Sequence, residues 1–275
     1  MASVINVFKE SIDIAKKNYL KLLGLYLIIL IIFTVLEALA VLLTAGAALG
    51  AVSGISSPLT FIPLVLIVFI AAILISPIWN GIYYSLAIQG MKKSSKTTLD
   101  KAFGDSKKVY RKMLWTSVIQ TVIMVIILGI ILTPDILYIL SIRSGSSAFS
   151  HPLLFLSTLG ITALVFIVVA FILGALFFVA VPLAMLDGSS GIGAIRKSFT
   201  VARKYFWSVM GLLILSGIAY AIVYAITEIF TLGFSVVNPT LGEVVSLVLT
   251  VLLESFIVGI VGFLPVIFYK RFVKS

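Results

Sequence analysis

The chain contains no cysteine, which excludes disulfides, thiolate metal sites and thiol catalysis. It has a single histidine, His151, standing before Pro152. A histidine-bearing metal cluster would need a second His or a Cys, and a Ser–His–Asp set would have to be built on that one residue. No GxGD-like intramembrane protease signature surrounds any carboxylate. Charge is scarce as well: 11% of the 275 residues, against roughly a quarter in a soluble domain. Strand-like alternation is missing over any length, so a β-barrel is excluded. No metal, cofactor or nucleic-acid partner is expected, and catalytic residues are not assigned.

Hydrophobic residues fill the space left by these absences, at 61% of the chain and a mean hydropathy of +1.26. The chain reads as an integral membrane protein. Apolar runs fall at 20–44, 61–89, 114–133, 153–186, 208–231 and 244–269, and each reaches the roughly 20 residues that carry a helix across hydrocarbon. The expected fold is all-α with six transmembrane helices. The net charge is +10, but its placement points to a membrane surface. All but one of the 20 Lys and Arg lie in the N-terminal segment, the second and fourth connections and the basic tail at 270–275, leaving Arg143 alone opposite. The positive-inside rule then puts both termini in the cytoplasm of a multi-pass cell-membrane protein. Glu10 and Asp13 and the length of the first apolar run argue against a cleaved signal, so the first helix is expected to remain as an anchor.

One stretch, DGSSGIGAIRKSFTVARKYFW from Asp187 to Trp207, opens like a phosphate-binding loop. Ala194 follows Gly193 where such a loop needs Lys and then Ser or Thr, and an apolar helix precedes it in place of a strand. Its glycines are expected to turn the chain, and Ser189 or Ser190 to cap the next helix. The same stretch aligns without gaps to the N-terminus. VFKESIDIAKKNYLKLLG (7–24) matches AIRKSFTVARKYFWSVMG (194–211), with Ser11 on Ser198, Ala15 on Ala202, Lys17 on Lys204 and Gly24 on Gly211. A looser copy, AFGDSKKVYRKMLW (102–115), puts Ser106, Arg111 and Lys112 in the same places.

Each copy precedes an outward run, and each returning run carries a proline: Pro77, Pro182 and Pro265. The expectation is three parallel helical-hairpin repeats, at 4–90, 99–186 and 190–269, in a single membrane domain spanning 1–275. Each repeat starts with a basic amphipathic helix. Ile5, Phe8, Ile12, Ala15 and Tyr19 share one face of the first, and Ile192, Ile195, Phe199, Ala202 and Phe206 one face of the third. Such a helix is expected at the membrane surface, apolar face toward the lipid. Lys9, Lys16, Lys17, Arg111, Lys112, Arg196, Lys197, Arg203 and Lys204 would then reach anionic head groups, each adding about 1 kcal/mol.

The phrase VPLAMLDGSSGIGAIRKSFTVARKYFWSVMG (181–211), with its proline, short turn and basic segment leading into a helix, resembles the six-helix membrane domain of membrane-anchored glycerophosphodiester phosphodiesterases and related uncharacterised membrane-protein families. The resemblance implies the architecture only. In those enzymes the chemistry sits in a separate soluble domain, and no soluble stretch here is long enough to be one.

The carboxylates inside apolar runs are the sharpest functional candidates. Glu37, Glu228 and Glu254 lie in runs without Lys or Arg. At the helical rise, Glu37 and Glu228 reach the outer interface. Glu254 lies roughly 16 Å from Glu243 and roughly 24 Å from Lys270, inside the hydrocarbon. Helical spacing aligns Gly242, Ser246, Thr250, Glu254 and Gly262 in one stripe, and Ser216, Tyr220, Tyr224 and Glu228 in another; small and hydroxyl residues turn toward neighbouring helices. Asn80 and Gln120 are further polar candidates inside spans. A carboxyl in hydrocarbon without a basic partner is held protonated, binds a cation, or serves as a packing hydrogen bond. Gly46, Gly50 and Gly54 are expected in a flexible outer connection. Two functions follow: movement of a small or amphipathic solute past Glu254, or a scaffold that binds anionic lipid and other membrane proteins. An intramembrane enzyme is the remote third.

Overall fold

The computed structural model describes residues 3–52, 62–92, 98–143 and 152–274, with the side chains at 33, 36–37, 39–52, 62–69, 134–143 and 152–159 outside the description. The described residues are helical, with no strand among them. Eight α-helices run in order: α1 (Val4–Lys17), α2 (Tyr19–Val52), α3 (Ile62–Gly90), α4 (Leu99–Arg143), α5 (Pro152–Phe177), α6 (Ala180–Leu186), α7 (Gly191–Val237) and α8 (Pro239–Phe268). A π-helical turn, Tyr269–Val273, ends the bundle. Five helical segments are long and apolar enough to cross a membrane, and Tyr19–Ile32 in α2 is a shorter apolar one. The chain is a helical membrane protein.

Local chemistry explains the boundaries. Ser3 caps α1 by accepting the Asn6 amide at 3.2 Å. Asn18 ends it: its Nδ2 donates to the Ile14 carbonyl at 2.9 Å, so the side chain competes with the backbone for the last turn. The 153–186 run is not one helix. Pro182 cannot donate to the Phe178 carbonyl, and its ring crowds that turn. The chain accordingly breaks between α5 and α6 around Phe178 and Val179 (φ −106°, ψ 4°). Pro77 leaves α3 unbroken, and the Ser76 hydroxyl reaches the freed Ile73 carbonyl at 3.4 Å. Asn238 opens α8 by accepting the Thr240 amide at 2.9 Å, with Pro239 in the first helical position.

Two expectations need correction. The basic segment of the second copy is not a separate helix but runs without a break into the rest of α4, whereas that of the third is set off from the rest of α7 by a kink. Met113 stands in the second copy where Asn18 ends α1, and nothing there interrupts the backbone ladder. In the third copy that place is Tyr205, where α7 kinks (φ −121°, ψ 26°); its hydroxyl donates to the Phe272 carbonyl at 2.8 Å. The glycine series is also not all connection: Gly46 and Gly50 belong to α2, and Gly54 lies outside the described residues.

The core lies toward the basic end. Leu22, Tyr83, Leu86, Met113, Phe263 and Phe268 are all essentially inaccessible, and they come from α2, α3, α4 and α8. Farther out, α4, α5, α7 and α8 present apolar side chains to their surroundings, Ile130, Ile161, Ile229 and Leu247 among them.

Candidate functional site

Three serines tie this core together. Ser11 on α1 donates to the Ile260 carbonyl of α8 at 2.6 Å, Ser106 on α4 to Ile78 of α3 at 2.8 Å, and Ser198 on α7 to Leu176 of α5 at 2.7 Å. All three are fully buried, and one turn earlier Val7, Ala102 and Ala194 are buried too. The close approach needs small residues: a side chain at Gly81 would collide with Ser106 itself. These serines were aligned in sequence, and the stripe they occupy packs most closely, with Phe8, Ile12, Ile195, Phe199 and Phe206 of the expected apolar face also packed against the core. Ile5 and Ile192 are exposed, whereas Ala15, Ile195 and Ala202 are buried. Pro265 follows the accepting residue on α8 and Pro182 follows Leu176 across the break, in α6, while Pro77 precedes Ile78, so the prolines do not share one register.

Glu254 is half-buried on α8. The Tyr26 hydroxyl of α2 donates to its Oε2 at 2.5 Å. No Lys or Arg pairs with it among the described residues. Tyr83 of α3 and Tyr220 of α7 lie within electrostatic range of Tyr26, and Tyr220 within range of Glu254. The Trp79 indole packs edge-on against Tyr83, ring centres 5.5 Å apart. The Trp79 Nε1 and Tyr83 hydroxyl are buried without a well-formed hydrogen bond to the protein. Side chains of α2, α3, α7 and α8 thus gather around the Tyr26–Glu254 pair, Tyr220 near the carboxyl and Tyr83 near the Tyr26 hydroxyl. Tyr26 was not anticipated; its one sequence signal is a hydroxyl-bearing ring in an apolar run.

No family model, curated protein or solved structure matches the chain.

Among the described residues, no hydrogen bond joins the other polar candidates to this cluster. Ser246 and Thr250 are half-buried along α8. Gly242 is buried against Ser235, which lets α7 and α8 meet at their turn. Glu228 is half-buried with Tyr224 one turn away as its partner. Asn80 is half-buried on α3, and Gln120 on α4 buries its Oε1 without a partner. The Glu37 side chain and His151 lie outside the described residues. Among the described residues, no three His, Asp or Glu side chains gather as metal ligands would.

At the basic end all nine of the candidate head-group cations are exposed. The Asp187–Gly191 turn organises this end. Gly188 and Gly191 take the left-handed conformation (φ 66° and 55°) that glycine alone adopts without strain. Ser190 occupies the capping position of α7, but its side chain makes no capping bond; the Ser189 hydroxyl instead accepts from Lys197 at 2.8 Å. Asp187 receives the Tyr269 hydroxyl at 2.5 Å and the Lys274 ammonium at 3.3 Å, with Lys197 at 3.9 Å. Burial pushes the Asp187 carboxyl up, but the Tyr269 hydrogen bond and the two ammonium groups outweigh it and hold it below the ordinary value. The C-terminal segment is tied a second time, by Arg271 forking onto Glu10 at 3.0 and 2.9 Å.

Proposed function

We propose that this is a non-enzymatic, multi-pass protein of the cell membrane that moves a small or amphipathic solute past Glu254. Its six spans form three parallel hairpin repeats, and both termini are cytoplasmic. The observation that carries the transport reading is the half-buried carboxyl that, among the described residues, is answered by a tyrosine hydroxyl and by no cation. An ionisable group placed in hydrocarbon is costly to keep without a use, and packing alone would be served as well by an amide. The buried polar groups of Tyr83, near Tyr26, and of Trp79 against it are further hydrogen-bonding groups on this side of the bundle.

The repeat reading is supported by the order of the serine bonds. The first helix of the second repeat holds the returning helix of the first, and the third holds the second. Through Ser11, the first holds the third. This cyclic order is what three equivalent units around an axis along the membrane normal would give. The matched breaks at Asn18 and Tyr205 support it as well. The resemblance to the membrane domain of the glycerophosphodiester phosphodiesterases remains a proposal about architecture.

Proteoliposome flux of wild type against Glu254→Gln tests the function. The amide still accepts from Tyr26, so the fold should survive while proton- or cation-linked flux disappears. Unchanged flux in the variant, or no pH-, cation- or solute-dependent flux across a broad panel, would remove the transport reading. A scaffold that binds anionic lipid and other membrane proteins is the second reading, favoured by the apolar side chains exposed along α4, α5, α7 and α8.

A further inference from the structure

A cleft of about 610 Å³ opens beside the Asp187–Gly191 turn, lined by Arg111, Lys112, Leu114, Trp115 and Ser190. Its cations are unanswered. Among the described residues neither Arg111 nor Lys112 pairs with a carboxylate, and Asp187 next to the turn is already taken by Tyr269, Lys274 and Lys197. Two adjacent exposed cations without an internal counterion invite an external anion. The walls are shaped for them. A Cβ at Gly188 would stand 3.3 Å from Lys112 Nζ, and one at Gly191 would stand 2.7 Å from the Trp115 ring. Gly191 therefore has to be glycine for Trp115 to lie where it does, while Gly188 is required by its left-handed backbone. The Thr116 hydroxyl fixes the turn against α4 by accepting the Gly191 amide at 2.9 Å. The Ser190 hydroxyl, which caps nothing, is left to donate.

We infer that this cleft binds the phosphate group of an anionic phosphate ester, presented by a lipid head group or free in solution. Arg111 supplies a planar fork that suits phosphate oxygens, Lys112 a point charge, and Ser190 a hydroxyl. Leu114 and the exposed Trp115 ring begin the apolar part of α4, so the site sits where the charged helix passes into the apolar span. Tryptophan favours that depth, the level of lipid head groups. The inference rests on the membrane-surface reading of the basic end and deepens the lipid-binding alternative. It does not involve Glu254.

The test uses the full-length protein in neutral detergent, titrated with short-chain phosphatidylglycerol, short-chain phosphatidylcholine and inorganic phosphate. Binding is read by native mass spectrometry and by Trp115 fluorescence in a W79F/W207F background. Saturable phosphatidylglycerol binding is expected, at least about tenfold weaker in R111Q/K112Q and changed less than about twofold in K92Q/K101Q, which removes the same charge at exposed positions outside the head-group set. S190A should weaken binding without altering charge. Binding of inorganic phosphate with the same variant pattern supports the site with a soluble ester as its ligand. Equal losses in the two double variants, equal binding of phosphatidylcholine, or no saturable binding of either anion would overturn it. Glu254→Gln should leave this binding unchanged, so a failure of the transport reading is told apart from a failure of this one.

Discussion

Glu254 and Tyr26 form a pair whose two halves answer different questions. Tyr26→Phe removes the donor and leaves the carboxyl, and should lower stability in detergent by about 1 kcal/mol, the usual net worth of a hydrogen bond. Glu254→Gln keeps an acceptor and should cost less. Thermal unfolding of both variants, set beside flux, separates packing from chemistry: a large stability loss in Glu254→Gln would show the carboxylate itself to be structural. Asp187 makes a prediction about pH. Its folded carboxyl is held below the ordinary value, so the unfolded chain binds that proton more readily. The stability it contributes is complete above the unfolded pKa of about 3.9 and is lost as pH falls through the lower folded value. Asp187→Asn should flatten the acid limb of the unfolding profile below about pH 4. An acid limb identical to wild type would show that the Tyr269–Lys274 contacts do not depend on the charge.

Among elements, the serine contacts are the joints between helices. Ser106→Ala should destabilise by about 1 kcal/mol, since the Ile78 carbonyl lies inside α3 and keeps its helical amide. Ser198→Ala should cost somewhat more, because it takes the hydroxyl from the Leu176 carbonyl in the last turn of α5, where carbonyls lack intrahelical amides. Gly81→Val should cost more, about 1–3 kcal/mol or above, because the added side chain must push α4 away at Ser106. Denaturant unfolding of the three variants checks the order. A Gly81→Val protein as stable as wild type would mean that α3 and α4 can separate freely. The helix breaks follow the same local logic. Asn18 ends α1 because its amide takes the Ile14 carbonyl, and Met113, with no such group, lets α4 run on.

At the scale of the whole molecule, the serine bonds and the Arg271–Glu10 fork bring the first helix onto the last. In the proposed six-span topology this contact places both ends on one side of the bilayer. The absence of cysteine makes that easy to check. Single cysteines at Lys274 and at Ser147 should react with an impermeant maleimide from opposite sides of intact cells, Lys274→Cys only after permeabilisation. Labelling of both from the same side would refute the six-span topology.

Composition and the placement of Lys and Arg were enough to determine a helical membrane protein with one strongly basic end, because the transfer cost of charge and of unpaired backbone leaves few alternatives. The alignment of Ser11, Ser106 and Ser198 was equally visible, since it is a matter of residue identity along the chain. What those serines do was not. Which stripe of a helix faces protein and which faces lipid depends on how closely two backbones approach, and Gly81 decides that only once α3 and α4 are placed side by side. The same holds for Glu254: its depth follows from helical rise, whereas its partner Tyr26 lies on another helix, at a distance that only packing sets. The DGSSG turn shows both halves of the lesson. That its glycines turn the chain could be read directly; that Gly191 makes room for Trp115 was decided by the tertiary contact with α4.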